Sequence, residues 1–231
     1  MSLVTVGSTD RRSVFTDPKS VWQEPRSCYG RNWMATQAER TASTRGALLK
    51  AATRLFATKG FAATTVDDLA AAAGVAKGGF YHHVRSKEEL FAAVLERQQA
   101  ELVDEVLQAA AKGNGALDAL KRGCRAFLVA CARPAVRRIV LVDGPAVIGW
   151  EAWREIDARH FGGLIRQGLE GAAAEGIIQS RRVDALTSLL LGAVTEAAMR
   201  CARPAEAKTS LAALMSEFGE LLDSLAASPG H

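Results

Sequence analysis

Residues 44–91 constrain the fold more than any other part of the chain, because three short helical patterns follow one another there within fewer than fifty residues. The segment 65–83 predicts a helix-turn-helix: a first helix ends near Ala73, Gly74 makes the turn, and a second helix begins near Ala76. Gly74 suits the turn because glycine adopts a positive φ at little cost. Such a motif presents its second helix to the DNA major groove, so the pattern indicates a DNA-binding protein.

Residues at the expected helix ends support this interpretation. Thr64 or Thr65 can cap the first motif helix, since a hydroxyl oxygen accepts a hydrogen bond from a free backbone N–H. Two aspartates follow in its first turn, where the helix dipole favours negative charge. Ser86 can cap the next helix, and Glu89 three residues later completes the pattern of a capping box.

Side chains on and around the second motif helix are the predicted DNA contacts. Lys77 opens the helix and can reach a base edge or a phosphate, while Phe80 is predicted to pack in the core. Tyr81 and His82 suit phosphate contact through their hydroxyl and imidazole groups. The absence of a side chain at Gly78 allows close approach to base edges. The other predicted contacts to phosphates come from neighbouring helices: Arg45, Thr65 and Lys87.

These residues belong to a longer series of motifs that covers about forty-eight of the 231 residues: Leu55-Phe56, Lys59-Gly60-Phe61, Thr64-Thr65-Val66, Leu69, Ala72, Gly74-Val75, Lys77-Gly78, Phe80-Tyr81-His82-His83 and Ser86-Lys87-Glu88-Glu89-Leu90-Phe91. The series resembles the DNA-binding domain of the TetR family of bacterial transcriptional repressors. Two positions depart from the family pattern. Val84 stands where Phe is usual, and Gly79 stands where Thr or Ser is common, which removes one possible contact to phosphate or base.

The resemblance implies a repressor that binds a palindromic DNA operator as a homodimer and is released by a small hydrophobic effector. Its two last helices, expected at 183–203 and 205–226, would pair with those of the second copy in a four-helix interface. Two alternatives are a ligand-independent helical regulator or interaction module and an all-α enzyme. The enzyme is disfavoured because the sequence has no GxSxG, HExxH or phosphate-binding loop motif.

Composition and charge agree with a DNA-binding protein that has no membrane span. Residues 35–90 carry eight basic and five acidic side chains, whereas residues 91–231 carry sixteen and seventeen, so the basic excess lies where DNA contact is expected. The chain has no unbroken apolar run of eighteen residues, and its N-terminus lacks the apolar region of a secretory signal. We therefore expect a cytoplasmic protein.

The helical periodicity predicts an all-α protein of about nine helices. Residues 1–37 are interpreted as a flexible basic leader, residues 38–90 as a three-helix DNA-binding domain, and residues 91–231 as a helical domain for effector binding and dimerisation. The first helix is expected at 42–59. Asp143-Gly144-Pro145 is expected to break the chain, and Gly162-Gly163 to kink or loosen a helix over 151–175.

An effector pocket is predicted beside two tryptophans that lie one turn apart after the Gly144-Pro145 break. Aromatic and other apolar side chains would line it, with an acidic side chain as polar anchor: Phe127, Asp143, Trp150, Trp153, His160, Glu196 and Met199. In the alternative interpretation the aromatics are ordinary core and the acids lie at the surface or cap helices.

The four cysteines and four histidines suggest no cofactor or metal site. Cys28, Cys124, Cys131 and Cys201 form no CxxC pair, so we interpret them as small buried apolar residues, with a thiol redox sensor as the alternative. His82 and His83 are adjacent on a helix and point in different directions, which is unsuitable for shared metal ligation.

Overall fold

The computed structural model describes residues 37–178, 182–202 and 207–226, and within these ranges the chain forms nine helices and no strand, which confirms the predicted all-α class. The first five helices are α1 (Gln37–Lys59), α2 (Val66–Ala73), α3 (Lys77–His83), α4 (Lys87–Ala110) and α5 (Ala116–Cys131). Each of the next two helices contains a π-helical turn. The helix α6 consists of Pro134–Val136, the π-helical turn Arg137–Asp143 and Gly144–Ile148. The helix α7 consists of Trp150–Asp157, the π-helical turn Ala158–Gly162 and Gly163–Ala174. The last two are α8 (Val183–Cys201) and α9 (Ala207–Ser224). The prediction for residues 1–36, Cys28 included, and the expected gap between the last two helices near residue 204 fall outside the described residues.

The helix-turn-helix is built from α2 and α3, as predicted. Thr65 caps α2: its hydroxyl accepts the N–H of Asp68 at 3.0 Å, and the Asp68 carboxylate accepts the N–H of Thr65 at 3.1 Å. Thr64 is buried and donates its hydroxyl to the carbonyl of Gly60 at 2.7 Å, so only one of the two threonines is the cap. Gly74 ends α2 with φ of 72°, the left-handed conformation that the turn requires.

Aromatic packing fixes α1–α3 against the start of α4. The rings of Phe56, Phe61 and Phe91 lie with centroids between 5.2 and 5.7 Å apart, in tilted or edge-on contact. Phe80 is fully buried and attaches α3 to this core. Val84, one of the departures from the family pattern, is buried in the same core and therefore has a packing role.

Two predictions at helix starts differ from the structure. The helix α1 already includes Gln37, ahead of the expected start near residue 42. The predicted cap at Ser86 is present, since its hydroxyl accepts the N–H of Glu89 at 3.1 Å. The Glu89 carboxylate, however, accepts the N–H of Arg85 at 2.8 Å, one residue before the cap, so the predicted capping box is only half formed.

The expected break at Gly144-Pro145 is wrong, because α6 continues to Ile148 and ends at Gly149, where φ is 84°. In a π-helical turn each N–H bonds to the carbonyl five residues earlier, and Pro145 has no N–H for the carbonyl of Val140. The indole N–H of Trp153 donates to that carbonyl at 2.7 Å instead. A Cβ at Gly144 would lie 2.9 Å from the Trp153 ring, so the glycine makes room for this contact.

We call α1–α3 the N-terminal unit and α4–α9 the body, which is a stack of helices. The helix α4 packs along α5, α5 contacts α7, and α8 packs against α7 and α9. The loosening predicted near Gly162-Gly163 takes the form of the π-helical turn of α7. Because α4 also contacts α1, it connects the N-terminal unit directly to the body.

Candidate nucleic-acid interface

The exposed side of α3 carries the polar residues expected at a nucleic-acid contact. Lys77 and Tyr81 are four residues apart, which places them on one face of the helix. Their side chains are open to solvent, 62% for the lysine side chain and 54% for the tyrosine residue. His82 is exposed as well, while Phe80 anchors the opposite side in the core.

The ammonium group of Lys77 is paired with a side chain of α2. Its ammonium group lies 3.0 Å from the carboxylate of Asp67, and this hydrogen bond raises the pKa of the lysine above its ordinary value. Both side chains are exposed, so a phosphate can replace the carboxylate as the partner of Lys77. The first-turn position of Asp67 predicts an interaction with the helix dipole and gives no indication of this pair.

The two glycines at the start of α3 are not required by internal packing. A Cβ at Gly78 would meet no atom within 4 Å, and one at Gly79 would be in ordinary contact with Val75 at 3.7 Å. Their effect is therefore on the outer surface, where they leave the leading edge of the helix without side chains.

The other predicted DNA contacts, on helices next to α3, differ in their exposure and in their hydrogen bonds. Thr65 is exposed, with its hydroxyl engaged in capping α2. Arg45 is half-buried on α1. Lys87 is also half-buried, and its ammonium group donates to the carbonyls of Phe61 and Thr64, both at 3.0 Å. Lys87 thus holds the segment between α1 and α2 in place. This structural role was not predicted and is separate from the predicted contact to phosphate.

The helix α6 of the body also contacts this segment, residues 60–64. The carboxylate of Asp143 accepts the backbone N–H of Phe61 at 2.8 Å. Gly60 has φ of 84°, and a Cβ there would lie only 2.6 Å from the guanidinium of Arg138. We call residues 60–64 with Lys87, Arg138 and Asp143 the interdomain joint. Asp143, predicted as an effector anchor, therefore lies in a contact between the N-terminal unit and the body.

A cavity of about 480 Å³ lies in the body between α4, α5, α7 and α8. The rings of Phe127 and Phe161 pack edge-on at 4.7 Å, and both line it. No charged side chain contributes to the wall; Gln167 and the thiol of Cys124 are its main polar groups. The other lining residues are apolar or small: Val106, Leu107, Ala110, Ala111, Ala116, Ala119, Leu120, Gly123, Leu164, Ile165, Gly168, Gly171, Leu191 and Val194.

Of the seven predicted effector residues, Phe127 alone lines this cavity. Trp150 is exposed and Trp153 is fully buried against α6, as described above. His160 is hydrogen-bonded to Glu96 of α4 at 2.7 Å. The last two lie on α8, with Glu196 exposed and Met199 packed against the core. This cavity thus lies farther along α7 than the pocket predicted beside Trp150 and Trp153.

The cavity was missed because its wall is made largely of small residues. Small residues in α4, α5 and α7 give no conspicuous apolar pattern, whereas the predicted pocket depended on large aromatic side chains. Gly168 and Gly171 bring α7 close to α5: a Cβ at these positions would lie 3.1 Å from Leu120 and 2.8 Å from Ala116, respectively.

The cysteines of the described ranges are buried free thiols, as predicted: Cys124, Cys131 and Cys201. Burial raises the pKa of Cys124 to about 12 and also raises the pKa of Cys131 and of Cys201. A thiol in this state is a poor nucleophile. The described part of the chain contains no cluster of side chains suited to a metal ion and no helix long and apolar enough to span a membrane.

An α2–turn–α3 motif with an exposed polar face, joined to a helical body with a cavity, defines a helix-turn-helix DNA-binding transcription regulator. Residues 48–94 match the family model for bacterial regulatory proteins of the tetR family, and residues 117–225 match a tetracyclin repressor-like C-terminal domain. A solved TetR-family transcriptional regulator from Pectobacterium atrosepticum aligns with a TM-score of 0.75 and 31% identity, over 85% of this chain and 100% of that chain.

Curated relatives agree with this assignment. The chain is 26% identical to the transposon Tn10 TetC protein of Escherichia coli over 156 residues, which are 68% of this chain and 79% of the relative. It is 52% identical to the transcriptional repressor KstR2 of Mycobacterium tuberculosis over 48 residues, 21% of this chain and 24% of the relative. The chain belongs to the TetR family, whose members are transcription regulators and not enzymes.

Proposed function

We propose that this TetR-family regulator is a cytoplasmic repressor that binds a palindromic operator as a homodimer and releases it when a small hydrophobic effector fills the cavity. The functional units would be a leader at 1–37, a DNA-binding domain at 38–90 and an effector-binding and dimerisation domain at 91–231. The observation that carries the proposal is the exposed face of α3, with Lys77 and Tyr81 beside the open edge at Gly78.

The chemistry of α3 supports contact with both phosphates and bases. The ammonium group of Lys77 and the hydroxyl of Tyr81 can donate to phosphate oxygens, and the absence of side chains at the helix edge allows the backbone to approach base edges. Thr65, Lys87 and Arg45 lie around α3 and remain proposed contacts to the DNA backbone. Lys87 has one N–H beyond the two that it donates to carbonyls.

The cavity supports an apolar effector because its wall carries no charge that could balance a charged ligand. Its volume of about 480 Å³ lies in the range of small-molecule sites. One end of α4 lines the cavity at Val106 and Ala110, and the other end carries Lys87 in the interdomain joint. A ligand that displaces α4 or α7 would therefore shift α2 and α3 relative to DNA.

The experiment that tests DNA recognition is a gel-shift or anisotropy titration with the DNA upstream of the protein's own gene, at several salt concentrations. We expect Lys77→Ala to weaken binding and to reduce the slope of log affinity against log salt by about one unit, because one phosphate contact is lost. Tyr81→Phe should weaken binding with a smaller change in slope, since it removes a hydroxyl and no charge.

Both variants should unfold at nearly the wild-type temperature because both side chains are exposed. Lys112→Ala is the matched control: it removes an exposed lysine in the body, and operator affinity should stay at the wild-type value. Wild-type affinity in both α3 variants would refute the proposed DNA contacts.

A further inference from the structure

Gln99 of α4 is fully buried, and neither the oxygen nor the nitrogen of its side-chain amide has a hydrogen-bond partner. Buried polar side chains in folded proteins nearly always have at least one partner, and leaving a donor and an acceptor unpaired destabilises the fold. A ligand group or a buried water can supply the partner that the chain does not.

The position of Gln99 relates it to the cavity. Val106 and Ala110 line the cavity and follow Gln99 by seven and eleven residues, so all three lie on one face of α4. The helical rise places Val106 about 10 Å farther along the axis. Gln99 is therefore on the side of the cavity nearer to the DNA-binding domain.

The edge-on rings of Phe127 and Phe161 line the cavity on this same side. His160, the neighbour of Phe161, is bonded to Glu96, which precedes Gln99 by less than one turn of α4. The π-helical turn of α7 that carries Phe161 thus lies beside the part of α4 that carries Gln99. Gln99 itself does not line the cavity, so a ligand that reaches its amide from there would have to displace side chains of this region.

We propose that Gln99 binds the polar head of the effector, and that this head is an uncharged group such as a hydroxyl. This inference rests on the proposed function, because the apolar body of the same ligand would fill the cavity. A side-chain amide both donates and accepts, which matches a hydroxyl group. The nearby carboxylate of Glu96 is already paired with Arg159 and His160, so it offers no free charge to an anionic or a cationic head.

The test compares two ligands that differ in one hydroxyl, 4-propylphenol and propylbenzene, by calorimetric titration of the full chain. We expect the wild type to bind the phenol about fivefold more tightly, the effect of one net hydrogen bond. Gln99→Leu should retain its affinity for propylbenzene and bind the two compounds within about twofold of each other, because the partner of the hydroxyl is gone.

Thr187→Val is the matched control, since the Thr187 hydroxyl is also buried without a partner, on α8. This variant should keep the wild-type preference for the phenol. If Thr187→Val loses the preference and Gln99→Leu keeps it, the head is recognised from α8 and the assignment to Gln99 is overturned.

Unfolding of the ligand-free protein gives a second measurement. Gln99→Leu should raise the melting temperature, because it removes an unpaired amide from the core; a lowered melting temperature would mean that the amide has a structural partner and would overturn the proposal. Equal affinity of the wild type for both compounds would support the cavity as a binding site and refute the proposed role of Gln99. If it binds neither, the effector cavity itself is refuted, and with it the effector part of the proposed function.

Discussion

At the scale of single residues, Glu96 shows how charge connects two helices of the body. It lies on α4, and its carboxylate oxygens contact Arg159 at 2.9 Å and His160 at 2.7 Å, both in the π-helical turn of α7. Burial alone would raise the pKa of Glu96, but the hydrogen bond from His160 and the positive charge of Arg159 outweigh burial and hold the pKa below its usual value.

This lowered pKa predicts an acid-sensitive contribution to stability. Above the ordinary glutamate pKa of about 4.3 the carboxylate is ionised in both folded and unfolded chains, and the contact contributes fully. As the pH falls below that value, the unfolded chain takes up the proton first, so the contribution declines until Glu96 is protonated in the folded chain as well. Glu96→Gln should therefore be less stable by about 1–2 kcal/mol at pH 7, and this difference should shrink as the pH falls through the lowered pKa of Glu96.

Urea unfolding between pH 7 and pH 3 measures this difference. Glu101→Gln is the control, because Glu101 lies on the same helix in an exposed pair with Arg97 and should change stability little. A stability difference between Glu96→Gln and the wild type that does not depend on pH would contradict the prediction.

Residues whose roles depend on near neighbours could be predicted from the sequence, while residues with distant partners could not. The cap at Thr65 and the turn at Gly74 follow from chemistry within a few residues of each position. Lys87 lies 26 residues from the Phe61 carbonyl that it bonds, and Asp143 lies 82 residues from the Phe61 N–H. No local pattern indicates such pairs, so neither contact was predicted.

At the scale of helices, α6 shows where a local rule fails. A Gly-Pro pair predicts a helix end because proline lacks an N–H and glycine is a poor helix former. Trp153 of α7 removes the penalty by donating to the carbonyl that Pro145 leaves without a partner, and it packs on Gly144. The continuous α6 in turn carries Asp143 to the interdomain joint.

The interdomain joint predicts a consequence for regulation. Asp143→Ala removes the acceptor of the Phe61 N–H and should lower the free energy of unfolding by about 1–3 kcal/mol. Because α6 then holds the segment before α2 less firmly, operator affinity should fall, and an effector that fills the cavity should change that affinity less than in the wild type.

Chemical unfolding and operator titration with and without 4-propylphenol measure both effects. Glu151→Ala, which removes an exposed acid at the start of α7, is the control and should match the wild type. If Asp143→Ala keeps the wild-type operator affinity and the wild-type response to the ligand, the joint does not transmit the signal.

At the scale of the whole molecule, the all-α class followed from the sequence because apolar residues at helical spacing recur along the body. The cavity did not follow, because an empty volume depends on how four helices pack and belongs to no single periodic pattern. Leu120 and Gly168 are 48 positions apart in the sequence, yet a Cβ on the glycine would lie 3.1 Å from the leucine.

The outer faces of α8 and α9 predict the assembly of the regulator. Leu189 of α8 is 70% exposed and Leu221 of α9 is 46% exposed, so a second copy that covers both helices would bury apolar surface. A dimer of this kind binds two half-sites that are one turn of DNA, about 34 Å, apart. Light scattering at micromolar concentration should give a dimer for the wild type and a monomer for Leu189→Glu combined with Leu221→Glu, since burying carboxylates in an apolar interface is costly. The double variant should also bind the operator much more weakly, because each α3 then binds its half-site alone.

Val129→Glu, at a site on α5 that is 47% exposed, is the control and should remain dimeric with full operator affinity. A double variant that stays dimeric would place the interface on other helices, and a monomeric wild type would refute the dimer itself.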